Sequence, residues 1–290
     1  MSTSPREIDA VTGVETTGHE WDGIKELNKP LPKWWLWTFY ATILWAIGYW
    51  ILYPAWPTGS AYTKGIFNYS QREVVAKELA AAQAAQTQYR DRLTTTSLAA
   101  IKQDPDLYRF AMAAGGMAFQ NNCAPCHGRG AQGFLGYPNL NDDDWLWGGG
   151  IEDIFRTISF GIRSDSKETR ASQMPRFGLD KLVTEAEIGD VADYVLSLSG
   201  KSKDQAAIGR GRKIFADQCA SCHGDNAKGK IEQGAPDLTD AIWLYGDSRA
   251  AVMESVRTGR GAMMPAWAGR LDPATLKALA IYVHSLGGGK

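Results

Sequence analysis

Cys123-Ala124-Pro125-Cys126-His127 and, further along, Cys219-Ala220-Ser221-Cys222-His223 decide how this chain is read. Both have the form C-x-x-C-H, the attachment signature of a c-type haem. The two thiols add to the vinyl groups of the ring, and the adjacent imidazole then lies where it can ligate the iron. The motifs use all 4 cysteines of the chain and two of its 4 histidines. The expectation is two covalently bound haem c groups and one-electron chemistry. Cys123 and Cys126 would hold one haem, Cys219 and Cys222 the other, with His127 and His223 as axial ligands. Reading the pairs as zinc half-sites or redox dithiols leaves each following His, and a Met further down each repeat, without a role.

Outward from the motifs the sequence repeats. Gly115 and Phe119 match Gly211 and Phe215, and Pro138, Leu140, Trp145, Leu146 and Gly148 match Pro236, Leu238, Trp243, Leu244 and Gly246. Met174-Pro175 matches Met264-Pro265, and Ala192, Tyr194, Val195, Ser197 and Leu198 match Ala280, Tyr282, Val283, Ser285 and Leu286. Ordered matches along a whole unit indicate a duplicated domain. Each unit reads as a helix running into the motif, a second helix after the Trp (Ile151, Ile154, Phe155, Ile158 and Ile162 at helical spacing) and a closing helix. The first closing helix opens at Thr184 with Glu187, a capping box; the second opens at Asp272 with Pro273 at its first position. Ile188, Val191, Ala192 and Val195, and then Leu276, Leu279, Ala280 and Val283, mark the inward faces. No segment alternates as a strand, and the polar stretch 200–205 separates the units.

The Met-Pro pairs supply the sixth ligands. Met174 lies downstream of His127 and Met264 downstream of His223. Met263 competes with Met264, which aligns with Met174 and precedes Pro. Thioether ligation favours ferrous iron and raises the reduction potential. The units resemble class I cytochromes c, in which a Pro carbonyl about a dozen residues past the His orients the imidazole; the resemblance gives that role to Pro138 and Pro236. Trp145 and Trp243 fit either the haem edge or simple core packing. Arg156, Arg163, Arg257 and Arg260 are candidate propionate partners among which spacing picks none.

Residues 34–63 carry no charge and include Trp34, Trp35, Trp37, Trp45, Trp50 and Trp56. The apolar run is long enough as a helix to cross the ~30 Å hydrocarbon layer, with aromatic residues crowding both ends. It is longer than a signal-peptide core and stands too far into the chain for one. Lys25, Lys29 and Lys33 precede it, whereas Lys64 and Arg72 are the nearest cations beyond, which places the N-terminus in the cytoplasm. The expected organisation is a cytoplasmic tail (1–33), a transmembrane anchor (34–56), a periplasmic helical linker (57–107) and two tandem class I cytochrome c domains (108–200 and 205–288). The fold class is all-α. A formal net charge of −1 gives no argument for nucleic acid.

The stretch His19-Glu20-Trp21-Asp22-Gly23-Ile24, then Glu26-Leu27-Asn28, Pro30-Leu31-Pro32, Trp34-Trp35 and Tyr53-Pro54-Ala55-Trp56-Pro57, resembles the N-terminus of the dihaem subunit III of cbb3-type cytochrome c oxidases. The resemblance spans essentially the whole chain. It implies a bacterial inner-membrane subunit that accepts electrons from a cytochrome c or the bc complex. Its implied partners are a monohaem cytochrome c subunit and the haem–copper catalytic subunit that reduces oxygen. This chain offers no set of copper ligands and would not reduce oxygen alone. A free-standing anchored dihaem cytochrome c is the alternative, and a dihaem peroxidase would need one iron without its Met.

Overall fold

The structure is a computed structural model that describes residues 6–287. The chain divides into two compact units, the first ending at Ala84 and the second beginning at Ala85.

The first unit opens with an antiparallel hairpin, β1 (Thr16–Trp21) and β2 (Ile24–Leu27). Asp22 and Gly23 turn it with φ of 49° and 85°, the paired positive values of a type I′ turn, for which Asp-Gly is a preferred sequence. This small sheet is an addition to the all-helical expectation. Next comes α1 (Lys33–Leu52), 20 residues with none buried. At 1.5 Å per residue it is about 30 Å long, enough to cross a membrane. It stops two residues before Pro54, which cannot continue a helix. The chain beyond folds back on the helix end: Ile66 donates its N–H to the Ile51 carbonyl (3.0 Å) and the Tyr53 ring meets Phe67 and Tyr69 at 5.4 and 5.8 Å. A long polar helix, α2 (Gln71–Thr95), spans the boundary between the units and buries only Leu93.

The second unit contains α3 (Leu98–Gln103), α4 (Pro105–Asn122), α5 (Ala124–His127), α6 (Ile151–Phe160), α7 (Glu185–Leu198), α8 (Gln205–Gln218), α9 (Ala220–His223), α10 (Arg249–Thr258) and α11 (Pro273–Leu286). Side-chain caps set their starts. Asp104 accepts from the Leu107 N–H before Pro105, Thr184 and Glu187 form the reciprocal capping box, and Asp272 accepts from Ala274 and Thr275. Each such cap satisfies N–H groups that have no partner within the helix.

Packing does not follow the order of the repeats. In one lobe α4 and α6 of the first repeat close against α11 of the second. Leu107, Ala111, Phe119, Ile154 and Ile158 share a core with Leu276, Leu279, Ala280 and Val283. In the other lobe α8 and α10 of the second repeat close against α7 of the first. There Phe215, Val252 and Val256 share a core with Ile188, Val191, Ala192 and Val195. The crossings mirror one another. Phe119 meets Tyr282 (5.4 Å), and Phe215 meets Tyr194 (5.2 Å). Gly115 lies against the Ala278 carbonyl and Gly211 against that of Asp190, so close that any Cβ would collide with backbone.

The short connection 199–204 explains the exchange. Helices joined by a few residues pack as an antiparallel hairpin, so α7 turns directly onto α8. Asp190 fixes that hairpin by accepting two bonds from Arg210, each 2.7 Å. With α7 engaged, α4 is closed by α11.

Candidate functional site

Each C-x-x-C-H motif begins where a helix stops. Cys123 and Cys219 end α4 and α8, and the motifs themselves form the single turns α5 and α9. Gly128 and Gly224 follow at φ of 81° and 75° and release the chain into two nearly identical loops. Gly133 donates its N–H to the His127 carbonyl and Gly229 to that of His223, both at 2.8 Å. Leu140 likewise reaches Ala131, and Leu238 reaches Ala227. Gly133 and Gly229 are required there, since a Cβ at either would strike the backbone leading to Pro138 or Pro236.

These loops aim the imidazoles. His127 Nδ1 lies 3.0 Å from the Pro138 carbonyl, and His223 Nδ1 lies 3.1 Å from that of Pro236. A carbonyl only accepts, so each Nδ1 must carry the proton and each Nε2 keeps a lone pair for a metal. Burial pushes both pKa values down, against a smaller opposing effect of the carbonyl bond, and the rings stay neutral. Burial, with a lesser contribution from the neighbouring thiol, pushes Cys123 and Cys219 up to about 11.

The thioethers come from opposite repeats. Met264 packs against the core that holds Cys123 and Phe119. Its backbone pairs with Ile162 at the end of α6 (N–H to O distances of 2.9 and 3.0 Å). Met174 packs against the core that holds Cys219 and Phe215, and its carbonyl crowds Gly259 at the end of α10. Sequence order would pair Met174 with His127 and Met264 with His223, whereas packing places Met264 against the core of Cys123 and Met174 against that of Cys219. Met263 is 65% exposed and Met264 is half-buried, which separates the two competitors.

One continuous cavity of about 600 Å³ is lined by Cys123, Cys126 and His127 and equally by Cys219, Cys222 and His223, with Met174 and Met264 in its wall. Buried side-chain atoms test whether haem suits it. Trp145 Nε1 and Trp243 Nε1, at matching repeat positions, are buried donors with no partner. An unsatisfied buried N–H is costly, and the carboxylates of a haem are acceptors of the kind both lack. Imidazole and thioether donors, paired thiols and an apolar wall all suit the same group. Cys123 and Cys219 pack against different cores, and among the described residues no group of three or more His, Cys, Asp or Glu could hold a bare metal ion.

Of the four candidate arginines, Arg257 is taken by Glu185 and Glu254 (2.6 Å each). Arg260 stacks over the Tyr245 ring at 5.0 Å. Arg163 lines the cavity with backbone carbonyls as its partners. Asp144 also lines the cavity. Burial, then the charges of Asp240, Asp142 and Asp237, push its carboxyl up to about 6. Nothing in the sequence around Asp144 reveals that the charges of Asp237 and Asp240 reach it.

Comparison with known proteins agrees with this architecture. Residues 13–60 match the family described as the N-terminal domain of cytochrome oxidase-cbb3, FixP. Residues 110–195 and 206–283 match cytochrome c oxidase, cbb3-type, subunit III. The chain is 57% identical over 288 residues to a cbb3-type cytochrome c oxidase subunit FixP of Bradyrhizobium sp. (strain ORS 278), covering 98% of each chain. It is 55% identical over 292 residues to the subunit of that name in Bradyrhizobium diazoefficiens, covering 99% of this chain and 100% of the relative. With a cbb3-type cytochrome c oxidase subunit CcoP of Azospirillum brasilense the identity is 50% over 292 residues, covering 98% and 99%.

Proposed function

The chain belongs to the subunit III family of cbb3-type cytochrome c oxidases, and from that premise we propose that it is the dihaem electron-entry subunit of such an oxidase. It takes electrons from a cytochrome c or the bc complex and passes them through a monohaem subunit to the haem–copper subunit where oxygen is reduced. α1 anchors it in the bacterial inner membrane, with the N-terminus cytoplasmic and the haem unit periplasmic, in keeping with the lysines before the span.

Cys123 and Cys126 tether one haem and Cys219 and Cys222 the other. When bound, each haem supplies a one-electron iron couple. The protein's part is to fix the ligands. Pro138 and Pro236 hold the imidazoles in the tautomer that ligates; Met264 completes the site of His127, and Met174 that of His223. With an imidazole and a thioether offered to each iron, neither would keep a position open for peroxide, which argues against the peroxidase reading. One observation carries the proposal: both motifs and both Met-Pro turns open on a single cavity, a short route between two redox centres.

Two experiments test it. Pull-down in mild detergent should bring haem b, copper and cyanide-sensitive oxygen uptake with the chain; haem c alone would mean a free-standing cytochrome. Single-haem chains test the ligands. With Cys219 and Cys222 replaced by Ala, Met264→Ala should abolish the long-wavelength Met–iron band and Met174→Ala should spare it. The opposite result would restore pairing by sequence order.

A further inference from the structure

Arg163 stands where the two repeats differ most pointedly. Helices α6 and α10 both end in a glycine of positive φ, Gly161 and Gly259. Two residues on, the first repeat has Arg163 and the second has Gly261. Arg163 adopts φ of 50°, a left-handed backbone that costs a residue with a Cβ about 1 kcal/mol or more. Its guanidinium lines the cavity, half-buried, and among the described residues no carboxylate pairs with it. Instead Nε and Nη2 donate to the Ala262 carbonyl at 2.8 and 2.5 Å, and Nη1 donates to the Ser172 carbonyl at 2.7 Å. Those carbonyls lie two residues before Met264 and two residues before Met174.

Resting on the ligand reading above, we infer that Arg163 is a positioning residue shared by both iron sites, one guanidinium clamping the loop of Met174 to the loop of Met264. The loops do not depend on it equally. Met264 is also held by its two backbone bonds to Ile162, whereas among the described residues Met174 makes no backbone hydrogen bond. The clamp therefore ties the weaker loop to the stronger one. Gly261 is the other half of the device: a Cβ there would lie 3.3 Å from Arg163 Nε and 3.4 Å from Cζ. The fork geometry matters because the two planar N–H edges address two carbonyls at once, which the single ammonium of a lysine does not reproduce.

The test is displacement of Met by imidazole from the ferric haems of the full-length chain in detergent. The two irons are told apart with the single-haem chains, and their Met–iron bands report the underlying ligand reading independently. In Arg163→Gln the imidazole affinity at the iron served by Met174 should rise about tenfold, the scale of one charge-assisted hydrogen bond, and less at the iron served by Met264. Arg163→Lys should give the same rise, because the charge is kept and the fork is lost. Gly261→Ala, whose Cβ would press on the guanidinium and on the Gln173 side chain by a few tenths of an ångström, should act in the same direction and guards against a folding defect peculiar to position 163. Unchanged affinity at the Met174 iron, a rise confined to the Met264 iron, or full restoration by Lys would overturn the clamp. So would a fall in haem potentials with imidazole affinity unmoved, which would make Arg163 a charge partner of the haem edge instead.

Discussion

Leu279→Ala puts the crossed packing to a quantitative test. Leu279 lies on α11, is 0% exposed and belongs to the core that contains Phe119 and Cys123 rather than the one that contains Phe215 and Cys219. Truncating a fully buried leucine removes its transfer free energy and leaves a cavity, about 2–5 kcal/mol together. With a urea dependence of about 2 kcal/mol per molar for a small lobe, the midpoint should fall by roughly 1–2.5 M. The assay follows loss of the Met–iron band with urea in the two single-haem chains. In the chain carrying only the haem of Cys123 and Cys126 the midpoint should drop by that amount. In the chain carrying only the haem of Cys219 and Cys222 it should stay within about 0.5 M, as expected for a distant site. A drop confined to the second chain would refute the exchange of closing helices, and with it the pairing of His127 with Met264.

Further expectations follow from the same geometry. Gly211→Ala places a Cβ against the Asp190 backbone, which cannot yield as a side chain would; a loss of about 1–3 kcal/mol, read by calorimetry, should fall on the lobe of His223. Thr184→Ala removes the capping box of α7 and should cost about 1 kcal/mol of the same lobe's stability. Asp144 is held protonated up to about pH 6 against a usual value of 3.8. The folded state therefore binds the extra proton between those values, and this group's contribution to stability, complete below pH 3.8, is lost as the pH rises to about 6. An added electron in the adjoining cavity favours the proton further. At least one haem potential should thus fall as pH rises through about 6, and potentiometry of Asp144→Asn should show that slope flattened.

Much of the site was legible because its chemistry is written in short spacings. The C-x-x-C-H motifs and the caps at Thr184 and Asp272 are local features, and local hydrogen bonds fix them; the Met-Pro pairs are legible as sequence, but what holds Met264 is Ile162 from a distant segment. The partner of each closing helix was not legible from periodicity. Ile188, Val191, Ala192 and Val195 present the same kind of face as Leu276, Leu279, Ala280 and Val283, and either face suits either Phe119 or Phe215. What decides is the length of 199–204, a feature the sequence displays but which reads equally well as a domain linker. The hairpin at Thr16–Leu27 shows no apolar alternation because its strands are short and polar, although Asp22-Gly23 announces its turn. Arg163 is visible in the sequence only as one of four candidate propionate partners, because the carbonyls it bonds come from two distant loops, which no side-chain pattern encodes.

The exchange of α7 and α11 also bears on how the protein is made. Synthesis proceeds from the N-terminus, so Cys123 and Cys126 are made well before residues 273–286. The second motif finds its closing helix, α7, already made, whereas the first waits for α11, which follows both motifs. The core around Phe119 can therefore close only on a polypeptide translated past Leu276 and Val283. A polypeptide that stops before those residues leaves the core around Phe119 without its closing helix.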